Sequence, residues 1–133
     1  MDKRILIADD EPNIVTALEF LLQRSGYEVH IARDGEDALK RVAELLPDLV
    51  LLDVMMPLRS GYDVCQQVRA RREWSHIKIV MLSAKGRDAD AEKGLALGAD
   101  LYVSKPFSNR ELVARIDRLL RPDAAARPLL GPG

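Results

Sequence analysis

The sequence predicts an α/β fold: a single doubly wound, five-stranded parallel sheet, built as five β-then-α units with helices on both faces. Three observations predict it. Short apolar runs alternate with amphipathic segments from one end of the chain to the other. One of these runs, Leu49-Val50-Leu51-Leu52, is apolar without a break, as a strand buried on both faces of a parallel sheet has to be. That run ends on Asp53, and an open α/β sheet places its ligand crevice at the ends of its strands.

The elements follow in order. Ile5-Leu6-Ile7-Ala8 reads as the first strand and stops at Asp9-Asp10-Glu11. Pro12 suits a first helical turn, and Ile14, Ala17, Leu18, Leu21 and Leu22 recur at helical spacing up to Gly26. Tyr27-Glu28-Val29-His30-Ile31 alternates as a half-buried edge strand should. After Asp34-Gly35, the residues Ala38, Leu39, Val42 and Leu45 carry a second helix that stops before Pro47. The Asp53 strand comes third.

Gly61 opens a third helix with Val64, Cys65 and Val68 on its apolar side, ending in the charged run Arg69 to Glu73. Ile77 to Leu82 is the fourth strand. A short helix over Asp88 to Leu97 ends at Gly98, in the position of a C-terminal cap. Leu101 to Ser104 is the fifth strand, and Leu112, Val113, Ile116, Leu119 and Leu120 mark the last helix. Residues 1–121 are therefore expected to form one domain, and the Pro/Ala/Gly-rich 122–133 a tail or the start of a linker.

Composition narrows the function. The 133 residues are enough for one hydrophobic core. Lys plus Arg number 20 against 21 Asp plus Glu, a net charge of −1 that leaves no basic footprint for nucleic acid or an anionic membrane. Cys65 is the single cysteine, so neither an intramolecular disulfide nor a multi-thiolate metal site can form within the chain. No signal-peptide apolar region follows Met1-Asp2-Lys3-Arg4, and no run approaches the roughly eighteen apolar residues of a membrane helix. A reduced, cytoplasmic setting is expected.

In a doubly wound sheet the first and third strands are neighbours, which brings Asp9, Asp10 and Asp53 into one small space. Three such carboxylates repel, and some stay protonated unless a cation neutralises them. A few hard oxygen ligands with room for water suit Mg²⁺ better than Zn²⁺ or a full Ca²⁺ cage. Ser83 ends the fourth strand with a hydroxyl, and Lys105 follows the fifth with an ammonium group. Metal, lysine and hydroxyl together are the electrostatic partners a phosphoryl group requires. Lys105-Pro106 is also a candidate for a cis peptide bond.

These pieces resemble the receiver domain of bacterial two-component response regulators, a CheY-like family with a flavodoxin-like fold. The matching residues are Asp9-Asp10-Glu11-Pro12, Pro47 to Asp53, Met55-Met56-Pro57, Gly61, Ser83-Ala84, Gly98-Ala99-Asp100 and Lys105-Pro106-Phe107, spread over Met1 to Leu120. The resemblance implies that Asp53 is the phosphoacceptor, taking its phosphoryl group from the phosphohistidine of a sensor histidine kinase or phosphotransfer protein. It implies Mg²⁺ held by Asp10, by Asp53 and by the Met55 backbone carbonyl, with Asp9 acting through water. Ser83 and Ala84 would follow the phosphoryl group, Lys105 would pair with it, and Tyr102 matches an aromatic that turns inward as the hydroxyl moves. Met55 and Lys85 match positions that tune dephosphorylation, and an apolar residue with a long cation predicts a long-lived phosphorylated state. Apart from its own phosphorylation and slow dephosphorylation, no enzymatic activity is implied.

Plainer readings stand beside these. Asp-Asp-Glu before a proline is also a helix N-terminal cap, although Asp53 and Lys105 in register favour the site. Ser83 alone could be a turn hydroxyl, and Tyr102 a half-buried strand aromatic. Cys65 reads as core, His30 and His76 as surface, and Arg69-Ala70-Arg71-Arg72 as a solvated helix end.

The output is expected through the face of the fourth helix, fifth strand and fifth helix, to a downstream protein or to a fused output domain absent from this segment. No direct nucleic-acid or membrane contact by this segment is expected. Charge pairs for a dimer across that face are few: Glu111 and Arg115 are present, but Ala91, Ala96, Leu101 and Asp117 are poor partners. A monomer or weak dimer is therefore expected, with Leu95, Leu101 and Tyr102 as an apolar docking patch.

Other classes fit less well. A dehalogenase-type phosphatase needs Asp-x-Asp at the first strand, a flavin module needs a hydroxyl- and glycine-rich loop there, and no P-loop motif occurs. A receiver fragment of a larger regulator, or a degenerate receiver that is never phosphorylated, are the remaining alternatives.

Overall fold

The computed structural model describes residues 3–83 and 88–121, the side chains of 88–90 excepted. Five strands, β1 (Arg4–Ala8), β2 (Glu28–Ala32), β3 (Leu49–Asp53), β4 (Lys78–Ser83) and β5 (Leu101–Ser104), form one parallel sheet in the order β2-β1-β3-β4-β5. Between and after them run α1 (Pro12–Arg24), α2 (Gly35–Leu45), α3 (Gly61–Ala70), α4 (Asp88–Ala96) and α5 (Asn109–Leu120). The expected fold class is the observed one.

The sheet divides the core in two, which is why its strands are apolar on both sides. On one face Ile5, Ile7, Leu49, Leu51, Val80 and Leu82 pack against Leu18 and Leu22 of α1 and Leu112 and Ile116 of α5. On the other, Leu6, Val50, Leu52, Ile79 and Met81 meet Ala38 and Val42 of α2 and Val64, Cys65 and Val68 of α3. Residues of β3 are buried throughout, Asp53 included. Register pairs Ile7 with Leu51 and Leu52 with Met81, so the ends of β1, β3 and β4 lie level along one edge.

Some local expectations shift. The fully buried stripe of α1 is Val15, Leu18 and Leu22, while Ile14, Ala17 and Leu21 are half-buried. The apolar arc of that helix is wider than the strip it lays on the sheet. Val29, His30 and Ile31 are all half-buried rather than alternating, because β2 is an edge strand only partly covered on each face. The end of α3 is not simply solvated. Arg69 turns inward, donating from Nε to the Gly98 carbonyl at 2.9 Å and from a terminal nitrogen to Asp100 at 2.8 Å. The same Asp100 carboxylate accepts the Ile79 amide at 2.8 Å, tying the α4–β5 turn to the start of β4. A 3₁₀ turn at Arg72–Trp74 follows, and it buries Trp74.

Cys65 is buried, as expected. The segment 122–133 lies outside the described residues. Among the described residues no helix is long and apolar enough to cross a membrane.

Candidate functional site

Each acid of the site sits at a strand end. Asp53 closes β3 with 6% of its surface exposed, and Asp9 follows β1 with 1%. Neither has an apolar reason to be there, because burying a carboxylate costs several kcal/mol unless it is compensated. Asp10, next in sequence, is exposed. One carboxylate oxygen from each of Asp9, Asp10 and Asp53 lies within 4.8 Å of the others.

Asp34, Ser60 and Ser108 cap α2, α3 and α5 with their side chains. The N-cap of α1 is Glu11, which makes no such bond. Asp9 Oδ1 accepts the Glu11 amide at 2.8 Å, which shapes the turn rather than closing the helix end. Its other oxygen, Oδ2, is buried with no hydrogen-bond partner among the described residues. Such an oxygen suits a cation.

Lys105 supplies the positive charge. Its Nζ lies 3.6 Å from Asp9 Oδ2, 3.7 Å from Asp53 Oδ2 and 3.5 Å from Glu11 Oε1. Its backbone amide donates to the Ser83 carbonyl at 2.6 Å, fastening it to the end of β4. The Lys105-Pro106 bond is cis. Burial alone would lower the lysine's pKa, but Asp9, Asp53 and Glu11 outweigh it and hold the ammonium form.

One lysine does not neutralise the cluster. Burial, with the Asp9 and Asp10 charges, pushes Asp53 up to about 6, although the Met55 amide and Lys105 oppose the shift. Asp9 is raised as well, chiefly by burial. The Met55 amide donates to Asp53 Oδ1 at 3.2 Å. The site thus carries more negative charge than it can hold ionised, and a divalent cation or a cation-paired phosphoryl group would relieve it.

Ser83 is buried at the end of β4. Met55 is 62% exposed beside the acids, while Met56 is buried. The Tyr102 ring packs beside Met81 across Gly94, where a Cβ would lie 3.2 Å from the ring. The Tyr102 hydroxyl is buried without a hydrogen-bond partner among the described residues. Ala84 and Lys85 lie outside the described residues. Sequence reasoning assigned no separate role to Glu11, whose only signal was a third consecutive acid, nor to Leu58, whose φ of 69° nothing in its side chain announces.

Comparisons with known proteins point to one family. The family model described as the response regulator receiver domain matches residues 5–117. The alkaline phosphatase synthesis transcriptional regulatory protein PhoP of Bacillus subtilis (strain 168) is 48% identical over 128 residues, which are 96% of this chain and 52% of that protein. The chain therefore spans about half the length of that curated relative. A candidate response regulator of Chloroflexus aurantiacus J-10-fl superposes with a TM-score of 0.85 at 37% identity, covering 90% of this chain and 98% of that one. The BeF3-activated receiver domain of DrrB does so with a TM-score of 0.81 at 35% identity, covering 90% and 98%.

Proposed function

The chain belongs to the response regulator receiver domain family, and from that premise we propose that Asp53 is its phosphoacceptor, loaded from a phosphohistidine in the presence of Mg²⁺. The observation that carries this reading is the convergence of Asp53 with Asp9, Asp10 and Lys105 at the ends of β1, β3 and β5.

Mg²⁺ fits the donor set: three hard carboxylate oxygens within 4.8 Å, one of them on an exposed residue that leaves room for water, and a buried Asp9 oxygen that accepts no hydrogen bond among the described residues. Asp9, Asp10, Asp53 and the Met55 carbonyl are the groups that would hold it. Bound there, the cation neutralises the acids and draws charge from the phosphoryl oxygens.

The chain's own residues do the rest. An ionised Asp53 oxygen attacks phosphorus, forming an O–P bond as the N–P bond to the donor imidazole breaks and its electron pair stays on the leaving nitrogen. The Met55 amide, on Asp53 Oδ1, fixes the carboxylate so that its other oxygen is the nucleophile. Lys105 pairs with the phosphoryl group as it arrives, exchanging carboxylate partners for a dianion. Ser83 and Ala84 complete the phosphoryl contacts, and Tyr102 couples them to the surface. The role proposed for Met55 and Lys85 is to screen the phosphoryl group from hydrolytic water and slow the loss of phosphate.

The readout runs through α4, β5 and α5. A groove of about 290 Å³ lies between β5 and α5, lined by Tyr102, Phe107, Glu111, Leu112 and Arg115 among others. Leu95 is 51% exposed on α4. Glu111 and Arg115 pair with each other within α5 at 3.5 Å, and the Asp117 carboxylate accepts the Tyr27 hydroxyl, so these three already have partners within the chain. A monomer or weak dimer fits. The partners proposed are a sensor histidine kinase or phosphotransfer protein upstream, and a downstream target or fused output domain.

Phosphorylation by acetyl phosphate, or beryllofluoride binding, tests the reading. The wild type should respond only with Mg²⁺, and Asp53→Asn should not respond at all. A response that survives Asp53→Asn, or a wild type that never responds, overturns it.

A further inference from the structure

Between Asp53 and α3 the chain makes a loop whose tip is strained. The Arg59 amide donates to the Pro57 carbonyl at 2.8 Å around Leu58, whose φ is 69°. This is the rare three-residue turn of positive φ, which a leucine adopts at a cost. Leu58 is 76% exposed, so burial does not offset that cost. A strained conformation persists where its surroundings over-determine it.

The surroundings here are the first residues of α2. The Gly35 amide donates to the Pro57 carbonyl at 3.2 Å. The two backbones touch: a Cβ on Gly35 would lie 2.2 Å from the Arg59 carbonyl oxygen and 2.5 Å from its Cβ. Glu36 Oε1 holds Arg59 Nε at 2.6 Å. Asp34 makes α2 a firm stop, since its side chain accepts the Asp37 amide at 2.7 Å.

At its base the loop is pinned again. The Val54 amide reaches the Leu82 carbonyl at 2.9 Å, and the Gly61 amide reaches the Val54 carbonyl at 3.0 Å. Between base and tip lies Met55, whose amide holds Asp53.

We propose that Gly35 and Glu36 are positioning residues for the phosphoacceptor: they brace the Leu58 turn against α2, and the braced loop keeps the Met55 amide on the Asp53 carboxylate. The proposal rests on the assignment of Asp53 above. It makes the α2 N-terminus, which supplies neither the site's acids nor its lysine, a determinant of how fast the site is loaded.

Gly35→Ala, Leu58→Gly and Arg59→Ala in the full chain test it, with four readouts: Met55 amide hydrogen exchange, Mg²⁺ affinity by calorimetry, acetyl phosphate phosphorylation rate, and melting temperature. Gly35→Ala should speed Met55 exchange, weaken Mg²⁺ binding and slow phosphorylation by up to about 10²-fold, the effect of a misplacement near 1 Å. Leu58→Gly should melt within about 4 °C of wild type, because relieved strain offsets added backbone freedom, yet still speed Met55 exchange. If Gly35→Ala does not fold, Leu58→Gly and Arg59→Ala decide.

Variants that melt earlier but keep wild-type Met55 protection and Mg²⁺ affinity show a purely structural role and overturn the proposal. A wild type that cannot be phosphorylated overturns the Asp53 assignment instead, while Met55 exchange still reports on the brace.

Discussion

Lys105 Nζ stands 3.7 Å from Asp53 Oδ2 although β5, which Lys105 follows, and β3, which Asp53 closes, are not neighbours in the sheet. The lysine spans β4 to reach the acid, helped by the bond from its own amide to the Ser83 carbonyl. It is shared with Asp9 and Glu11, so its single charge is divided among three acids. From this shortage of positive charge come the properties that can be measured.

The first is pH dependence. The pKa of Asp53 rises from 3.8 to about 6 on folding, so the folded state favours the protonated acid. Ionised Asp53 therefore destabilises the fold: the cost is absent below the unfolded value, grows as the pH rises through 6, and is complete above it. At about 1.4 kcal/mol per pKa unit it amounts to roughly 3 kcal/mol. Without divalent cations, Asp53→Asn should be more stable than wild type by about 1–3 kcal/mol at pH 8 and not at pH 4. Urea melts at both pH values check this; the same difference at each would refute it.

Mg²⁺ should reverse that cost. At a hundred times its dissociation constant, a cation that binds only the folded state adds about 2.7 kcal/mol. Thermal melts with Mg²⁺, against Na⁺ at equal ionic strength, should show this gain for wild type and lose most of it in Asp10→Ala. Asp10 repels both Asp9 and Asp53, so without metal Asp10→Ala should melt no lower than wild type.

Tyr27 joins the far ends of α1 and α5 away from the site. Its hydroxyl donates to Asp117, its ring lies 4.4 Å from the Arg121 guanidinium, and burial with Asp117 holds the phenol above its ordinary pKa. Tyr27→Phe should cost about 1–3 kcal/mol in urea unfolding by stranding the carboxylate. Phosphorylation by acetyl phosphate should be unaffected, and a slower rate would tie this contact to the switch.

The phosphorylated state should be long-lived. Met55 is exposed beside the acids, and Lys85 is its proposed partner at the approach of water. Phosphorylated protein, freed of kinase and followed by mass spectrometry, should keep its phosphate well beyond seconds. Loss within seconds would refute the screening role, and Met55→Asp should shorten the lifetime.

Much of the site was legible because its parts lie at strand ends. Continuous apolar runs that stop at Asp53, Ser83 and Ser104 mark where β3, β4 and β5 emerge, and the order of a doubly wound sheet brings Asp9 next to Asp53. Arg69 was misread for the opposite reason. In sequence it belongs to a charged run; in space it meets Asp100 and Gly98, from an element that no local period links to it. The shifted stripe of α1 has the same origin, since spacing defines an apolar arc but not which part of it the sheet covers.

By itself, then, the sequence determined the fold class, the order of elements and the acids at the head of the sheet, because these follow from periodicity and from where parallel strands end. The tertiary structure alone decided that Glu11 shares Lys105, that Asp9 and Asp10 are not spent on capping, and that α2 braces the Leu58 turn. Those outcomes depend on distances between separate elements, set by how helices settle on a twisted sheet, and no local pattern of residue types carries that information.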